Sequence, residues 1–374
     1  MPLVSILAIP SAEKKIFRRR LLSWFSRHKR DLPWRRTKDP YRIWLSEIML
    51  QQTRVAAVIP YYERFTAKFP TVQALARAKT ETVLGHWAGL GYYSRARNLQ
   101  RAAKEIVTRH GGEFPRVHEQ ALALPGIGRY TAAAVLSIAY QQPLAVLDGN
   151  VARVVARIGA IRGDLRAPVI WRSLEAAAQD LLTAHTPGDW NQAMMELGAT
   201  VCTPKSPRCE ECPASRWCKA RQLGIAAELP EARRKRATVK VTLAAAVLLD
   251  PQGQTLLLRQ TGDDGVLFSH LWQFPAVEIS GPASTELAPY LLKKFAITAK
   301  GRITPLETAR HAVTFRNIQI RPFLICVARL PHFEGARAAH LNRLSDLPIS
   351  NLTRKIADAA LAPVVNAPRP VARD

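Results

Sequence analysis

The sequence predicts a mostly helical protein over its first two thirds and a separate α+β domain over its last third. Alanine-rich stretches with apolar residues at helical spacing follow one another up to about residue 222. After the charged segment ELPEARRKRATVK (228–240), strands are indicated by period-two alternation in VKVTLAAAVLLD and by the apolar runs QTLLLRQ and IQIRPFLICVARL. A chain of 374 residues has enough length for two or three domains. We therefore expect a loose leader (1–12), a helical core (13–222), a linker (223–238), an α+β domain (239–362) and a flexible tail (363–374).

Within the core, helices are indicated by caps and by apolar periodicity. Asp39 followed by Pro40 is typical of a helix start. Behind it, one apolar stripe is predicted from four residues: Trp44, Ile48, Val55 and Ile59. Further helices are predicted over 96–107, 118–124, 129–140, 150–158 and 171–183.

The charge balance is the most unusual feature of the composition. The chain has 54 Lys and Arg against 29 Asp and Glu, a net charge of +25, and ten of the basic residues fall between Lys14 and Arg36. This excess favours a polyanionic partner, most often nucleic acid, although a solvated basic face explains a charge run equally well. The opening apolar run VSILAI is too short to cross a membrane, so we expect no membrane contact and a cytoplasmic location.

Asp148 stands inside the otherwise apolar stretch VLDGNVARVV (146–155). Its simplest role is to cap the following helix, since Val151, Val154, Val155 and Ile158 have helical spacing. A carboxylate held at the start of a helix can also be catalytic. The residues of this stretch alone favour the cap.

The stretch LPGIGRYTAAAVLSIA (124–139) predicts a glycine turn between two helices. Gly126 and Gly128 let the backbone approach a ligand closely, and the helix from Arg129 presents free N–H groups and its positive dipole end. This geometry can hold a DNA phosphate without selecting a base. A plain turn between helices is the alternative.

Four of the five cysteines fall within seventeen positions, at spacing C-x6-C-x2-C-x5-C. Thiols this close in a chain without an export signal indicate a metal ion or a cluster more than disulfides. A structural zinc site is the alternative to an iron–sulfur cluster. The residues are Cys202, Cys209, Cys212 and Cys218.

Taken together, LPGIGRYTAAAV, VLDGNVAR and the cysteine spacing resemble the helix-hairpin-helix superfamily of DNA glycosylases, in its endonuclease III and MutY branches. The motif SEIMLQQTRV (46–55) and the long extension beyond the cysteines resemble the MutY family of adenine DNA glycosylases. In the endonuclease III-like branch a lysine follows the hairpin's GxGR and attacks the sugar. Here that position is Tyr130, and Ala152, one turn beyond Asp148, is also neutral.

The resemblance implies roles for named residues. Glu47 would protonate adenine at N7, and Asp148 would stabilise or capture the oxocarbenium sugar, with Tyr130 and Asn150 positioning these carboxyl groups. It implies contacts with the flipped adenine or the opposite base for Trp34, Arg35, Gln192, Gln52 and Tyr92. It implies phosphate contacts for Gly126, Gly128 and Arg129, and ligation of a 4Fe–4S cluster by the four cysteines.

Each of these roles has a simpler alternative. Glu47 could be an ordinary exposed glutamate, and Trp34 a core residue. The adjacent Tyr92 and Tyr93 could also belong to the core. We further expect Arg95 and Arg97 to meet phosphate.

The segment LLLRQTGDDGVLFSHLWQFPAVEI (256–279) resembles the Nudix, or MutT-like, fold. A working Nudix hydrolase needs a glutamate-rich helix to hold Mg²⁺, but only Glu278 and Glu286 lie between Phe274 and Lys300. By the resemblance this domain recognises 8-oxoguanine opposite adenine. Relatives often carry Phe-Ser-His in a late strand where this chain has RHAVTFRNI, and Thr314 is the one hydroxyl residue there that we assign to the lesion.

The resemblance therefore implies a monofunctional adenine DNA glycosylase, a monomer acting at the nucleoid on adenine opposite 8-oxoguanine or guanine in double-stranded DNA. A bifunctional, endonuclease III-like glycosylase and AP lyase is one alternative. A non-catalytic DNA-binding protein with a structural metal site is a second, and a Nudix hydrolase a third.

Overall fold

The computed structural model describes residues 7, 9–231, 237–259, 268–297, 303–313 and 316–365. The chain forms two compact units. The helical unit comprises residues up to 78 together with 94–234, and the sheet unit comprises 79–93 together with the chain from 235 onward. The segment 79–93 therefore belongs with the C-terminal part of the chain, although both of its sequence neighbours belong to the helical unit.

Within the described residues, the helical unit contains eleven α-helices. They are α1 (Ser11–His28), α2 (Pro40–Leu50), α3 (Val55–Lys68), α4 (Val72–Arg77), α6 (Ser94–Arg109), α7 (His118–Ala123), α8 (Arg129–Tyr140), α9 (Gly149–Gly159), α10 (Pro168–Leu181), α11 (Pro187–Thr200) and α12 (Lys219–Gln222). The sheet unit contributes α5 (Thr80–Trp87), α13 (Ala283–Phe295) and α14 (Asn351–Val365).

The predicted stripe behind Asp39 is interrupted in the structure. Asp39 does cap α2, accepting a hydrogen bond of 2.9 Å from the backbone N–H of Tyr41. However, α2 ends at Leu50, and a separate helix begins at Val55, so Val55 and Ile59 lie on α3. Gln52, in the turn between them, has a positive φ of 56° that no helix accommodates. The prediction of one continuous stripe was therefore wrong.

A core of large side chains unites α1, α9, α10 and α11. Phe17 of α1 lies edge-on to Trp190 of α11, with ring centroids 5.6 Å apart. Val155 and Leu181 pack in the same cluster and are fully buried. This packing fixes α9, and therefore Asp148 at its start, against the terminal helices of the unit.

The sheet unit is built on an eight-stranded mixed sheet. Its strands are β1 (Val239–Leu249), β2 (Gln254–Arg259), β3 (Trp272–Gln273), β4 (Ala276–Glu278), β5 (Ile303–Pro305), β6 (Ala309–Val313), β7 (Arg316–Cys326) and β8 (Ala336–His340). The order β3-β2-β1-β7-β5 forms its spine, while β4 pairs with β1, β6 with β7 and β8 with β2. The central pair is parallel, running from Val239 opposite Arg316 to Leu249 opposite Cys326.

Both faces of this sheet are covered. Ala244, Ala246 and Leu248 of β1 pack in the cluster that includes α13, while Ala245 and Val247 pack in the cluster that includes α14. The apolar run AAAVLL therefore reflects burial on two sides, as is typical of central parallel strands.

Every helix in the described part of the chain is too short or too polar to cross a membrane.

Candidate functional site

A pocket of about 490 Å³ opens in the helical unit among α2, α8, α9, α11 and the 3-10 turn at Pro33–Arg35. Eight residues predicted for the site line it: Trp34, Arg35, Glu47, Gln52, Tyr130, Asp148, Asn150 and Gln192. These positions are more than 150 residues apart at their extremes, so the fold brings them together.

Glu47 lies on α2 and is only 5% exposed. The pKa of its carboxyl is raised to about 7, mainly by burial. The charge of Asp148 also raises this pKa, whereas a hydrogen bond from Tyr130 and the charge of Arg35 lower it. The Tyr130 hydroxyl donates that hydrogen bond to Glu47 Oε2. Near neutral pH a large share of Glu47 is therefore protonated and able to act as an acid.

Asp148 is the N-cap of α9, as its sequence context predicted. Its Oδ1 accepts a hydrogen bond of 2.7 Å from the backbone N–H of Val151, and its Oδ2 accepts one of 2.9 Å from Asn150 Nδ2. Burial raises the pKa of Asp148 above its ordinary value, and these two donors oppose that rise without cancelling it. Glu47 and Asp148 are thus a buried pair of carboxyl groups whose hydrogen-bond partners differ.

Arg153, one turn along α9, fixes the orientation of Asn150. Its Nη2 donates to Asn150 Oδ1 at 3.0 Å and to the carbonyl of Gly198 at 2.8 Å. Because Asn150 Oδ1 accepts from a guanidinium, the amide nitrogen is the end that faces Asp148. Arg153 Nε also donates to the carbonyl of Cys202 at 2.8 Å, so the same side chain reaches the first cysteine of the loop.

Glu196 of α11 is buried in the pocket wall and binds two arginines. Arg30 Nε and Arg35 Nη2 each approach its carboxylate at 2.7 Å. Burial alone would raise the pKa of Glu196, but these hydrogen bonds outweigh it and lower the pKa to about 2. Arg35 is therefore held by Glu196, and its charge acts on the pocket from a fixed position. Glu196 could not be predicted from the sequence, because a single glutamate in a helix resembles a surface residue.

The other predicted pocket residues differ in how firmly they are held. Trp34 is buried and packs edge-on against Tyr62, with centroids 5.4 Å apart, so it has a core role as well as a pocket face. Gln192 Nε2 donates to the carbonyl of Gly188 at 3.3 Å. Gln52 is exposed at the pocket rim.

Two residues predicted to meet the opposite base, Tyr92 and Thr314, are not among the described residues that line this pocket. Tyr92 belongs to the sheet unit, where its side chain is 41% exposed. Thr314 lies outside the described residues, and its predicted role stays a prediction.

The expectation that Arg95 meets phosphate was wrong. Arg95 is 9% exposed, and its Nη1 donates to the carbonyls of Ile48 at 2.9 Å, Met49 at 3.0 Å and Gln51. These carbonyls belong to the last turn of α2 and the residue after it, and have no helical donor of their own. Arg95 therefore caps the helix that carries Glu47.

The predicted hairpin is present between α7 and α8. Gly126 has a φ of 74°, and a Cβ there would approach Asn98 Cβ to 2.7 Å, so this glycine is required for close packing on α6. A Cβ on Gly128 would meet nothing within 4 Å, which leaves open space at the start of α8. Arg129 is exposed and approaches Glu175 at 3.5 Å. The phosphate contacts of these residues remain predictions.

The four clustered cysteines line one small cavity, together with Arg157 of α9. Arg157 Nη1 donates to Cys202 Sγ at 3.2 Å and to the carbonyl of Thr203 at 2.7 Å. All of the cysteines are free thiols. In the part of the chain that the structure describes, however, no group of three or more His, Cys, Asp or Glu residues stands in an arrangement that would hold a metal ion. The donor set, four thiols around one cavity, is still that of an iron–sulfur or zinc site.

Part of the basic run from Lys14 to Arg36 serves the fold. Lys14 pairs with Asp180 at 2.5 Å, and Arg18 donates to the carbonyl of Leu181 at 2.8 Å. Arg30 and Arg35 form ion pairs with Glu196, so they also stabilise the fold. The positive charge available to a nucleic acid is therefore smaller here than the sequence count suggests.

Comparison with known proteins places this site in a family. The model of the HhH-GPD superfamily base excision DNA repair protein matches residues 45–177, a range that contains Glu47, Tyr130 and Asp148. Over 324 residues the chain is 30% identical to an adenine DNA glycosylase of Buchnera aphidicola subsp. Schizaphis graminum (strain Sg), and the match covers 86% of this chain and 91% of that protein. The chain belongs to the adenine DNA glycosylase family.

Other members and a solved structure match the helical part more narrowly. The human adenine DNA glycosylase is 51% identical over 220 residues, which are 56% of this chain and 40% of the human protein. The chain therefore spans about 40% of the length of that relative. The structure of a thermostable thymine-DNA glycosylase superposes with a TM-score of 0.51 at 30% identity, covering 56% of this chain and 97% of that one. The matched range 45–177 contains the turn between α7 and α8 and the two carboxyl groups of the pocket.

Proposed function

We propose that this chain is a monofunctional adenine DNA glycosylase that removes adenine opposite 8-oxoguanine or guanine in double-stranded DNA. The observation that carries the proposal is the pair of buried carboxyl groups in one pocket. Glu47 has a pKa raised to about 7, and Asp148 is held by two hydrogen-bond donors at a helix start. Enzymes that cleave glycosidic bonds use two carboxyl groups in different roles, one as a protonated acid and one as an ionised carboxylate.

In the proposed reaction, protonated Glu47 donates its proton to N7 of the flipped adenine. The C1′–N9 bond then breaks, its electron pair stays on N9, and adenine leaves as a neutral base. Ionised Asp148 stabilises the positive charge on the sugar, or captures it transiently. Water adds its oxygen to C1′ and gives a proton to the Glu47 carboxylate, which restores the acid.

The proposal that the enzyme stops at the abasic site is supported by the absence of an amine. Among the described residues that line the pocket, none is a lysine. Tyr130 follows the hairpin and hydrogen-bonds to Glu47, while Ala152 is 1% exposed inside α9. A bifunctional enzyme would need a lysine at such a position to attack the sugar.

We further propose that the four clustered cysteines hold a 4Fe–4S cluster. When bound, the cluster would join the four cysteines of the loop 202–218 to one another and so hold that loop together. Arg157 and Arg153 of α9 already reach this loop by hydrogen bonds to Cys202. The protein should be yellow-brown and contain iron and sulfide, whereas a zinc protein would be colourless.

The sheet unit is proposed to recognise the base opposite adenine as a Nudix-like domain without hydrolase activity. Glu286, one of its few glutamates, accepts hydrogen bonds from the backbone N–H groups of Ser280 (3.0 Å) and Gly281 (2.9 Å), and so serves the turn before α13. Glu278 lies exposed on β4. Turnover of nucleoside triphosphates with Mg²⁺ would contradict this proposal.

The decisive experiment measures adenine release and strand cleavage on defined duplexes. Purified protein should release adenine opposite 8-oxoguanine and leave an abasic site that breaks only on treatment with alkali or heat. Glu47→Gln should abolish release while DNA binding survives, and Glu105→Gln, a partly exposed glutamate on α6, should change neither. Prompt cleavage without alkali would support the bifunctional alternative, and release at the normal rate by Glu47→Gln would refute the acid.

DNA binding by the full chain should weaken steeply with salt. Each neutralised phosphate releases about 0.9 counterions, so the logarithm of affinity falls linearly with the logarithm of salt concentration. An affinity that does not depend on salt would contradict a role for the net charge of +25 in DNA binding.

A further inference from the structure

The segment 79–93 carries Tyr92 and packs as part of the sheet unit. It consists of α5 and the loop GLGYY, in which Gly89 and Gly91 have positive φ values of 106° and 72°. Tyr92 itself has a φ of 49° and a 41% exposed side chain. A tightly turned loop therefore presents an exposed aromatic ring from a segment that the sheet unit holds.

The first attachment of this segment to the sheet unit is Glu81, in the first turn of α5. Its Oε1 accepts hydrogen bonds from Trp272 Nε1 at 3.2 Å and from Arg337 Nη1 at 2.9 Å. Trp272 begins β3, and its ring has the guanidinium of Arg259 at 4.7 Å and that of Arg337 at 5.7 Å. Glu81 is thus the anion in a cluster of two arginines and an indole.

The second attachment is Tyr93, at the other end of the segment. Its side chain is 9% exposed, and its hydroxyl donates to the carbonyl of Ile349 at 3.1 Å. Ile349 forms a β-bridge with Trp272, the residue that Glu81 contacts. Both ends of the segment are therefore fixed at one place in the sheet unit, on either side of Tyr92.

We propose that Glu81 and Tyr93 are positioning residues through which the sheet unit sets the position of Tyr92, making adenine release depend on the opposite base. This inference rests on the proposed function, in which the sheet unit recognises that base and Tyr92 stacks beside it. Because these contacts hold the segment to the recognising unit, binding of 8-oxoguanine by that unit is coupled to the position of Tyr92. The effect is on selectivity, because neither Glu81 nor Tyr93 is among the described residues that line the pocket of Glu47 and Asp148.

A charge exchange tests this proposal in the full chain. Glu81→Arg faces two arginines, and Arg337→Glu faces Glu81, so each single variant breaks the cluster, whereas the double variant restores an ion pair. We expect each single variant to slow single-turnover adenine release opposite 8-oxoguanine by about threefold to tenfold, with a smaller change opposite guanine. The double variant should recover most of the selectivity, and Glu278→Gln, at the exposed last residue of β4, should retain all of it.

Tyr93→Phe removes one hydroxyl and provides a second variant with little risk to folding. It should also lower the ratio of the two rates. In a Tyr92→Ala background, Glu81→Arg and Tyr93→Phe should have no further effect on that ratio, because the residue through which they act is gone.

Unchanged selectivity in both Glu81→Arg and Tyr93→Phe would overturn the inference, as would effects that remain additive with Tyr92→Ala. Equal slowing on both duplexes, without recovery in the double variant, would indicate a general folding defect and also overturn it. If the wild-type protein releases adenine from neither duplex, the proposed function fails, and this inference fails with it. The wild-type control distinguishes the two failures.

Discussion

The hydrogen bond between Tyr130 and Glu47 offers the most direct test of the acid. Tyr130→Phe removes the hydroxyl that donates to Glu47 Oε2 and leaves the ring in place. That donor stabilises the ionised carboxylate, so its loss raises the pKa of Glu47 beyond the value of about 7 that burial and its present partners produce. Because an acid must be protonated to act, activity falls as pH rises through this pKa.

The size of the effect follows from the kind of bond that is lost. A hydrogen bond to a charged group contributes about 1.5–3 kcal/mol. One pKa unit corresponds to about 1.4 kcal/mol. Tyr130→Phe should therefore move the alkaline limb of the pH–rate profile upward by about one to two pH units.

Single-turnover adenine release, measured from about pH 5 to pH 10 on one duplex, gives this limb. The maximal rate of Tyr130→Phe is free to fall, since the same hydroxyl also lies 3.5 Å from Met195 Sδ, but the position of the limb reports the ionisation of Glu47 beside Asp148. Tyr140→Phe is the matched control: Tyr140 lies at the far end of α8, and its hydroxyl donates to the carbonyl of Phe114 at 2.8 Å. An alkaline limb that stays in place, or moves to lower pH, would refute the assignment of Glu47 as the acid.

Four further outcomes are expected. Asn150→Ala removes a donor that lowers the pKa of Asp148, so the acid limb of the same profile should move to higher pH. Arg95→Met leaves the last carbonyls of α2 unpaired and should slow adenine release about tenfold or more with DNA affinity retained, and Arg95→Lys should rescue it partly. Cys209→Ser should lose visible absorbance and iron and lower the melting temperature. In the folded protein the pKa of Glu196 is lowered to about 2 from an ordinary 4.5, so its contribution to stability is present above pH 4.5 and lost toward pH 2. Glu196→Gln should therefore lower the free energy of unfolding at pH 7, measured by urea denaturation, by about 3 kcal/mol.

Local sequence patterns were sufficient to predict the turns, helix caps and buried strands that depend on a few adjacent residues. The glycine turn between α7 and α8, the Asp39 and Asp148 caps and the apolar runs of β1, β2 and β7 are each written in a few adjacent residues. Such patterns report backbone geometry and burial within one element. They drew attention to Asp148, whereas Glu47 and its pairing with Asp148 were supplied by family resemblance.

Contacts between distant elements could not be predicted in the same way. Arg95 has the sequence context of a phosphate-binding residue, a basic helix start after a glycine loop, yet its guanidinium caps α2. Glu196 and Arg153 are charged residues within helices, and only the packed unit shows which partners they meet. The grouping of 79–93 with the sheet unit depends on side chains more than 170 residues away, such as Trp272.

Asp148 can be a helix cap and a catalytic carboxylate at once, because the same two hydrogen bonds serve both roles. Burial raises the pKa of both Glu47 and Asp148, so burial alone would leave both acids protonated. The backbone N–H of Val151, which is available only because Asp148 caps α9, and the amide of Asn150 both favour the ionised form. Glu47 has one hydroxyl donor in their place, and the charge of Asp148 raises its pKa further. The cap therefore distinguishes the two carboxyl groups, because it favours the ionised form of Asp148, whereas burial and the charge of Asp148 favour the protonated form of Glu47.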